Sequence, residues 1–298
     1  MRKFLNLVYL SMIAIVFASC DSNEENLPTT AVLTTNFQGL ETLGANFVYE
    51  GWLIVNGKPV STGTFTSVQF PQTFVVNSDD LNNATTFVLS VEPAVDPDPA
   101  PASTKILAGD FSGKTANVNS DNIVVAADSS IKSFNNSWGK YILATPTDSD
   151  DSNEASGVWF LDNSGASPIA GLGLPKLTEG WKYEGWVVLN GTPISTGTFT
   201  QVNMADDNFS SSPYKGIVNS GPPFPGEDYL RGAAGGVNFP TDLKGATIVV
   251  SIEPFPDNSS APFTLKPLAH MVPTNAMNHT VLTMGKGPLA VLSGTVSR

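Results

Sequence analysis

Histidine is nearly absent from this chain: there are two in 298 residues, His270 and His279. Both fall in the final quarter, nine positions apart, with no cysteine or carboxylate close by in sequence. A metal site takes three or four ligands at directed spacing, so no metal ligands are assigned. The first half has no histidine at all, which excludes a Ser-His-Asp triad there, and no Gly-x-Ser-x-Gly elbow occurs. Basic side chains are also scarce, with 15 Lys and Arg against 27 Asp and Glu and a formal net charge of −12. That excess opposes phosphate backbones and anionic head groups and excludes nucleic acid as a partner. The aspartates of DPDPAP (96–101) and PTDSDD (146–151) lack the glycine and terminal glutamate of a calcium loop. GAAGGVNFP (232–240) lacks the strand-helix setting of a dinucleotide fingerprint. No cofactor and no catalytic residue are therefore expected.

Apolar runs are short. The longest, LNLVYLSMIAIVF, follows the basic start MRKF and ends at ASC, which is the layout of an export signal. It falls short of the roughly 20 apolar residues that a bilayer span takes, and it stops at the only cysteine, Cys20. The pattern resembles a bacterial lipoprotein lipobox, with Phe17 departing from the usual aliphatic residue; it implies that residues 1–19 are removed and Cys20 is lipidated. Residues 20–26 then form an acidic tether with too little apolar surface to bury itself. Glu24 and Glu25 resemble the core of a surface-export signal. The expected location is the outer membrane or cell surface, lipid-anchored and outside the cytoplasm.

What the sequence does contain, it contains twice. YEGWLIVNGKPVSTGTFTSV (49–68) recurs as YEGWVVLNGTPISTGTFTQV (183–202) at an offset of 134. VLSVEPAVDPDPAP (88–101) recurs as VVSIEPFPDNSSAP (249–262), where the offset has grown to 161, so the second copy carries 27 extra residues. They lie within an insert at about 203–247. The polar stretch PTDSDDSNEAS reads as a surface connection, which divides the chain into domains 27–152 and 153–298.

Both copies read as β-structure, because their apolar stretches are short, rich in Val, Ile, Phe and Thr, and bounded by Gly, Pro, Asn and Asp. Asn56-Gly57 and Asn190-Gly191 predict two-residue hairpin turns. Further strands are expected at Phe87–Leu89, Ile248–Val250, Lys140–Ala144 and Leu289–Val296. The fold class is all-β, as two tandem antiparallel β-sandwich (immunoglobulin-like) domains. Tyr49, Trp52, Gly57, Pro59, Ser61, Gly63, Phe65, Glu92 and Pro93, repeated as Tyr183, Trp186, Gly191, Pro193, Ser195, Gly197, Phe199, Glu253 and Pro254, resemble the extracytoplasmic domain of anti-sigma-K factors. The resemblance implies a role in sensing or contacting something in the envelope. Such factors bind their sigma factor through a cytoplasmic part and a membrane helix, neither of which is read here, so direct sigma-factor binding is not expected.

Each copy supplies two glutamates, Glu50 with Glu92 and Glu184 with Glu253, the number a glycosidase requires, but they read as one glutamate on a solvent face and one that caps or pairs at a strand end. Trp52 and Trp186 read as core residues rather than sugar platforms. The insert is the better binding candidate, with Tyr214, Phe224, Tyr229 and Arg231 as anchors, since exposed aromatics and arginine dominate binding energies. On that reading about 27 residues could be removed there with the β-core intact. The expected function is a non-enzymatic envelope lipoprotein that binds a ligand, an envelope protein or a glycan, with its membrane contact through the lipid anchor. A structural or adhesive spacer, or a glycan or peptide hydrolase, are the alternatives.

Overall fold

The computed structural model describes residues 29–256, 259–288 and 292–298; Cys20 and the acidic tether lie outside the described residues. The chain is nearly all β. Seven strands come first: β1 (Thr30–Gln38), β2 (Phe47–Val55), β3 (Lys58–Phe65), β4 (Gln72–Asn77), β5 (Ala84–Pro93), β6 (Lys105–Ser112) and β7 (Thr115–Asn119), with helix α1 (Ser78–Asn83) before β5. A middle group follows: β8 (Trp138–Leu143), β9 (Gly157–Trp159), β10 (Leu161–Asp162), β11 (Ile169–Ala170) and β12 (Leu172–Gly173). Then come β13 (Trp181–Leu189), β14 (Thr192–Phe199), β15 (Gly226–Asp228), β16 (Ala233–Ala234), β17 (Val237–Asn238) and β18 (Thr247–Pro254). The last four are β19 (Leu268–Met271), β20 (Leu282–Thr283), β21 (Gly285–Lys286) and β22 (Ser293–Ser297). No helix among the described residues is long and apolar enough to cross a membrane.

The repeated hairpins form for the reasons their sequence gives. Asn56 and Gly57 take φ of 52° and 76°, and Asn190 and Gly191 take 50° and 81°, the doubly positive pair of a turn whose twist matches the flanking strands. Each hairpin carries a bulge at the same place, Gly51/Trp52 and Gly185/Trp186. The bulge glycines have no room for a side chain: a Cβ on Gly51 would lie 2.4 Å from Thr62 Oγ1, and one on Gly185 would lie 2.2 Å from Thr196 Oγ1.

The order of strands across the first sheet is β3-β2-β5-β6-β7-β22-β1-β4. The second half runs β14-β13-β18-β19-β21, and through the pairing of β20 with β8 it continues as β8-β9-β15. The two orders correspond element by element, all pairs being antiparallel: β8 stands where β22 stands, β9 where β1 stands, and β15 where β4 stands. The end strands β3 and β4 meet through Phe65 and Phe74, whose ring centroids are 5.7 Å apart, so the sheet curls over its own apolar face. That face is filled by Leu33, Phe37, Tyr49, Leu53, Phe87 and Leu89, all buried.

The expected division into 27–152 and 153–298 is crossed by two strands. β22, from the end of the chain, pairs on both sides within the first sheet, with β1 and with β7. β8, which lies before residue 152, pairs with β9, β12 and β20 of the second half. Each half thus receives its last strand from the other. One continuous hydrophobic core accordingly includes Leu33 and Phe87 together with Tyr183, Ile252 and Val296.

Candidate functional site

The repeated motif residues build a polar relay that sequence alone leaves unexplained. Trp52 Nε1 donates to Ser90 Oγ at 2.8 Å, Ser90 donates to Glu92, and Glu92 Oε1 accepts the Ala102 N–H at 2.9 Å. In the second half Trp186 Nε1 donates to Ser251 Oγ at 2.7 Å, Ser251 donates to Glu253, and Glu253 accepts the Phe263 N–H at 2.9 Å. Both glutamates are 1% exposed and both tryptophans are buried. The Ser90 hydroxyl and the Ala102 N–H both bind Glu92 Oε1 and partly offset the cost of burial, which pushes the Glu92 carboxyl up. The other glutamate of each half binds the hairpin return, Glu50 accepting from Ser61 and Glu184 from Ser195. Tyr49 Oη donates to the Glu41 carbonyl at 2.8 Å and Tyr183 Oη to the Pro175 carbonyl at 2.6 Å.

These relays fasten the segments that wall a cleft between the halves. The cleft encloses about 270 Å³. From the first half it is lined by Glu41, Leu43, Phe47, Val91 and Pro93 and by Ala102–Thr104. Pro254, Phe255, Pro256 and Phe263 line it from the second, with Glu253. The two Glu-Pro strand ends therefore face one another across it. Seam bonds hold the walls: Thr264 donates its N–H to Glu41 Oε1 at 3.0 Å and its hydroxyl to the Gly39 carbonyl at 2.9 Å, and Trp181 Nε1 reaches the Lys105 carbonyl at 3.2 Å. Glu41 is pushed up by burial, against the pull of Lys266 and the Thr264 N–H. Phe255 stands at the rim, 49% exposed, with the Lys182 ammonium 3.9 Å from its ring centroid. The lining is largely apolar with a few fixed polar groups, the usual make-up of a small-ligand site.

The insert is placed differently from its expectation. Tyr229 is fully buried, Phe224 is buried, and Tyr214 is half-buried; among the four anchor candidates only Arg231 is exposed. Tyr214, Tyr229 and Phe239 form a three-ring cluster with centroids 5.1 to 5.9 Å apart. Phe224 packs with Ile142, Trp159 and Leu161, and Arg231 Nε donates to the Lys215 carbonyl at 2.7 Å. The physical reason is that β9 and β15 have only three residues each, so the insert's aromatics supply the cover that longer strands give the first half. The insert also contributes β15 itself and is no removable addition.

It hides three acids that the sequence reading missed. Asp206, Glu227 and Asp228 are buried, and desolvation raises them to about 6, 8 and 6 respectively. Asp228 is compensated by Trp159 Nε1 at 2.7 Å, the Thr147 N–H at 2.9 Å and the Thr147 hydroxyl at 2.5 Å; Asp206 accepts the Gly226 N–H at 3.1 Å. The one available signal was the acid pair inside the otherwise apolar PFPGEDYL (223–230). The two histidines are far from one another in role. His270 Nδ1 is 2.8 Å from the Tyr141 hydroxyl, and His279 Nε2 is 3.1 Å from Glu154 Oε2. Among the described residues no group of three or more His, Cys, Asp or Glu is placed to hold a metal ion.

No curated protein and no solved structure matches the chain. Residues 26–106 match the family model described as "Anti-sigma-K factor rskA, C-terminal", so the first copy, from just ahead of β1 into β6, is similar to that domain.

Proposed function

We propose that the protein is a non-enzymatic envelope lipoprotein, anchored through Cys20 at the outer membrane or cell surface, with two anti-sigma-K-like β-domains that bind a ligand or partner in the cleft at their seam. The observation that carries this reading is the cleft itself: the repeated Tyr, Trp-Ser-Glu and Glu-Pro positions hold its walls from both halves. The match of residues 26–106 to an anti-sigma factor domain favours a regulatory role with a protein partner of some kind. The repetition of the same buried bonds in residues 175–263 supports a second copy of that domain.

The test is capture from envelope extract by the tagged protein, compared with Leu43→Asp and Phe255→Ala. Both positions line the cleft without being fully buried. Each change is expected to lower capture at least about tenfold, on the scale of a lost apolar anchor, with thermal unfolding little changed. Capture equal to the parent's in both variants would place recognition elsewhere. Cys20→Ser is expected to move the protein out of the detergent phase; unchanged partitioning would sink the anchor.

A further inference from the structure

The place that β22 occupies is a slot with unusually complete fittings. Thr34 to Gln38 of β1 pair with Ser297 to Ser293 on one side, and Thr115 to Asn119 of β7 pair with Ser297 to Ser293 on the other. Val296 is fully buried in the core of the first half, and so is Leu292, whose carbonyl accepts the Ser120 N–H at 3.1 Å. Beyond the strand, the Arg298 guanidinium donates to the carbonyls of Leu81, Asn82, Ala84 and Gly113 at 2.7 to 3.2 Å and lies 4.5 Å from the Phe111 ring centroid. Without β22, both β1 and β7 would present unpaired edges to solvent, and an open edge is a template for another strand.

The occupant comes from the other half of the chain, and β8 makes the reciprocal crossing with Tyr141 and Leu143 fully buried. A pair of similar units that trade their last strands has the connectivity of a swapped dimer drawn on one chain. The strand pairings, the Leu292 carbonyl bond and the Arg298 latch that fill the slot all come from residues 292–298. If two molecules traded β22, every hydrogen bond, the Val296 contact and the Arg298 latch would be remade unchanged. The choice between the chain's own strand and another's then rests on effective concentration, which the reach of the connection sets.

We infer that the slot between β1 and β7 is a strand-docking site for a second copy of this chain, which enters it with residues 292–298 and joins the two molecules by strand exchange. This inference does not depend on the ligand cleft. Asn36 and Thr295 are direct partners across β1 and β22, Asn36 exposed and Thr295 half-buried, and this pair makes the exchange visible. Full chains carrying Cys20→Ser and either Asn36→Cys or Thr295→Cys, one with a size tag, are unfolded together, refolded over about a hundredfold range of concentration and oxidised. A mixed disulfide between tagged and untagged chains is expected, its share rising with concentration, together with a dimer by sedimentation. The chain carrying both cysteines reports the pairing within one molecule and is expected to cross-link internally at high dilution. Internal cross-linking with no mixed disulfide at any concentration overturns the proposal. Failure of the double variant to cross-link at all overturns the register on which it stands.

Discussion

Trp52 and Trp186 carry the same indole at the same bulge, and each hands its N–H to a serine that hands its proton on to a buried glutamate. Removing the middle member leaves both neighbours short of a partner. Ser90→Ala and Ser251→Ala are therefore each expected to cost about 1 to 3 kcal/mol in denaturant unfolding. Combining Ser251→Ala with Trp186→Phe should cost less than the sum of the two, because the second change removes a donor already stranded by the first. Additive losses would mean that the three side chains do not act as one network.

The buried acids of the insert set a pH dependence whose sign is opposite to ordinary acid unfolding. Glu227 is raised from 4.5 to about 8 by burial, and so the folded state holds a proton that the unfolded chain releases near pH 4.5. That contribution is complete below the unfolded value and is lost as pH rises toward 8, at up to about 1.4 kcal/mol per pH unit. Asp206 and Asp228, both raised to about 6, add to the same trend at the lower end of the window. Glu227→Gln is expected to flatten the fall in stability between pH 5 and pH 8, read from midpoints of urea unfolding at each pH. An unchanged slope would show that Glu227 is ionised in the folded protein.

At the scale of the element, the hairpins and the insert answer to different constraints. Gly185 sits where a Cβ would meet Thr196 Oγ1 at 2.2 Å and the Phe160 ring at 2.8 Å, so Gly185→Ala must push apart packed neighbours. The expected loss is about 1 to 3 kcal/mol, as for overpacked cores, measured by thermal or denaturant unfolding. Gly191 meets nothing, and its φ of +81° is the sole obstacle there; Gly191→Ala should cost about 1 to 2 kcal/mol through backbone strain. Deleting Ser210–Gly236 would remove β15, Tyr214 and Tyr229 together. The second half is expected to lose its protected amides in hydrogen exchange after that deletion. Retention of a folded second half would restore the view of the segment as a tolerated loop.

For the whole molecule, the exchange of β8 and β22 couples the halves more tightly than a tether does. Val296→Asp places a charge in the core of the first half from the far end of the chain and is expected to cost about 3 kcal/mol or more. Hydrogen exchange should then show the loss of protection in β1, β2 and β7, which lie more than a hundred residues away in sequence. Loss confined to residues 157–286 would contradict the crossing. The shared core further predicts one cooperative unfolding transition for both halves.

The sequence by itself determined the local β-structure. Short apolar stretches and Asn-Gly turns are settled by neighbours a few positions apart, and a repeat at a constant offset announces that the same local solution is used twice. It also marked Trp52 and Trp186 as interior residues, and both are buried. Which strand completes which sheet was decided only in three dimensions, because SGTVS (293–297) has little apolar character of its own and any open antiparallel edge satisfies its backbone. The same holds for Tyr229, Phe224 and the three buried acids. Aromatics and carboxylates in a Gly- and Pro-rich segment read as surface until a short-stranded half needs them as cover, and that need arises from tertiary packing.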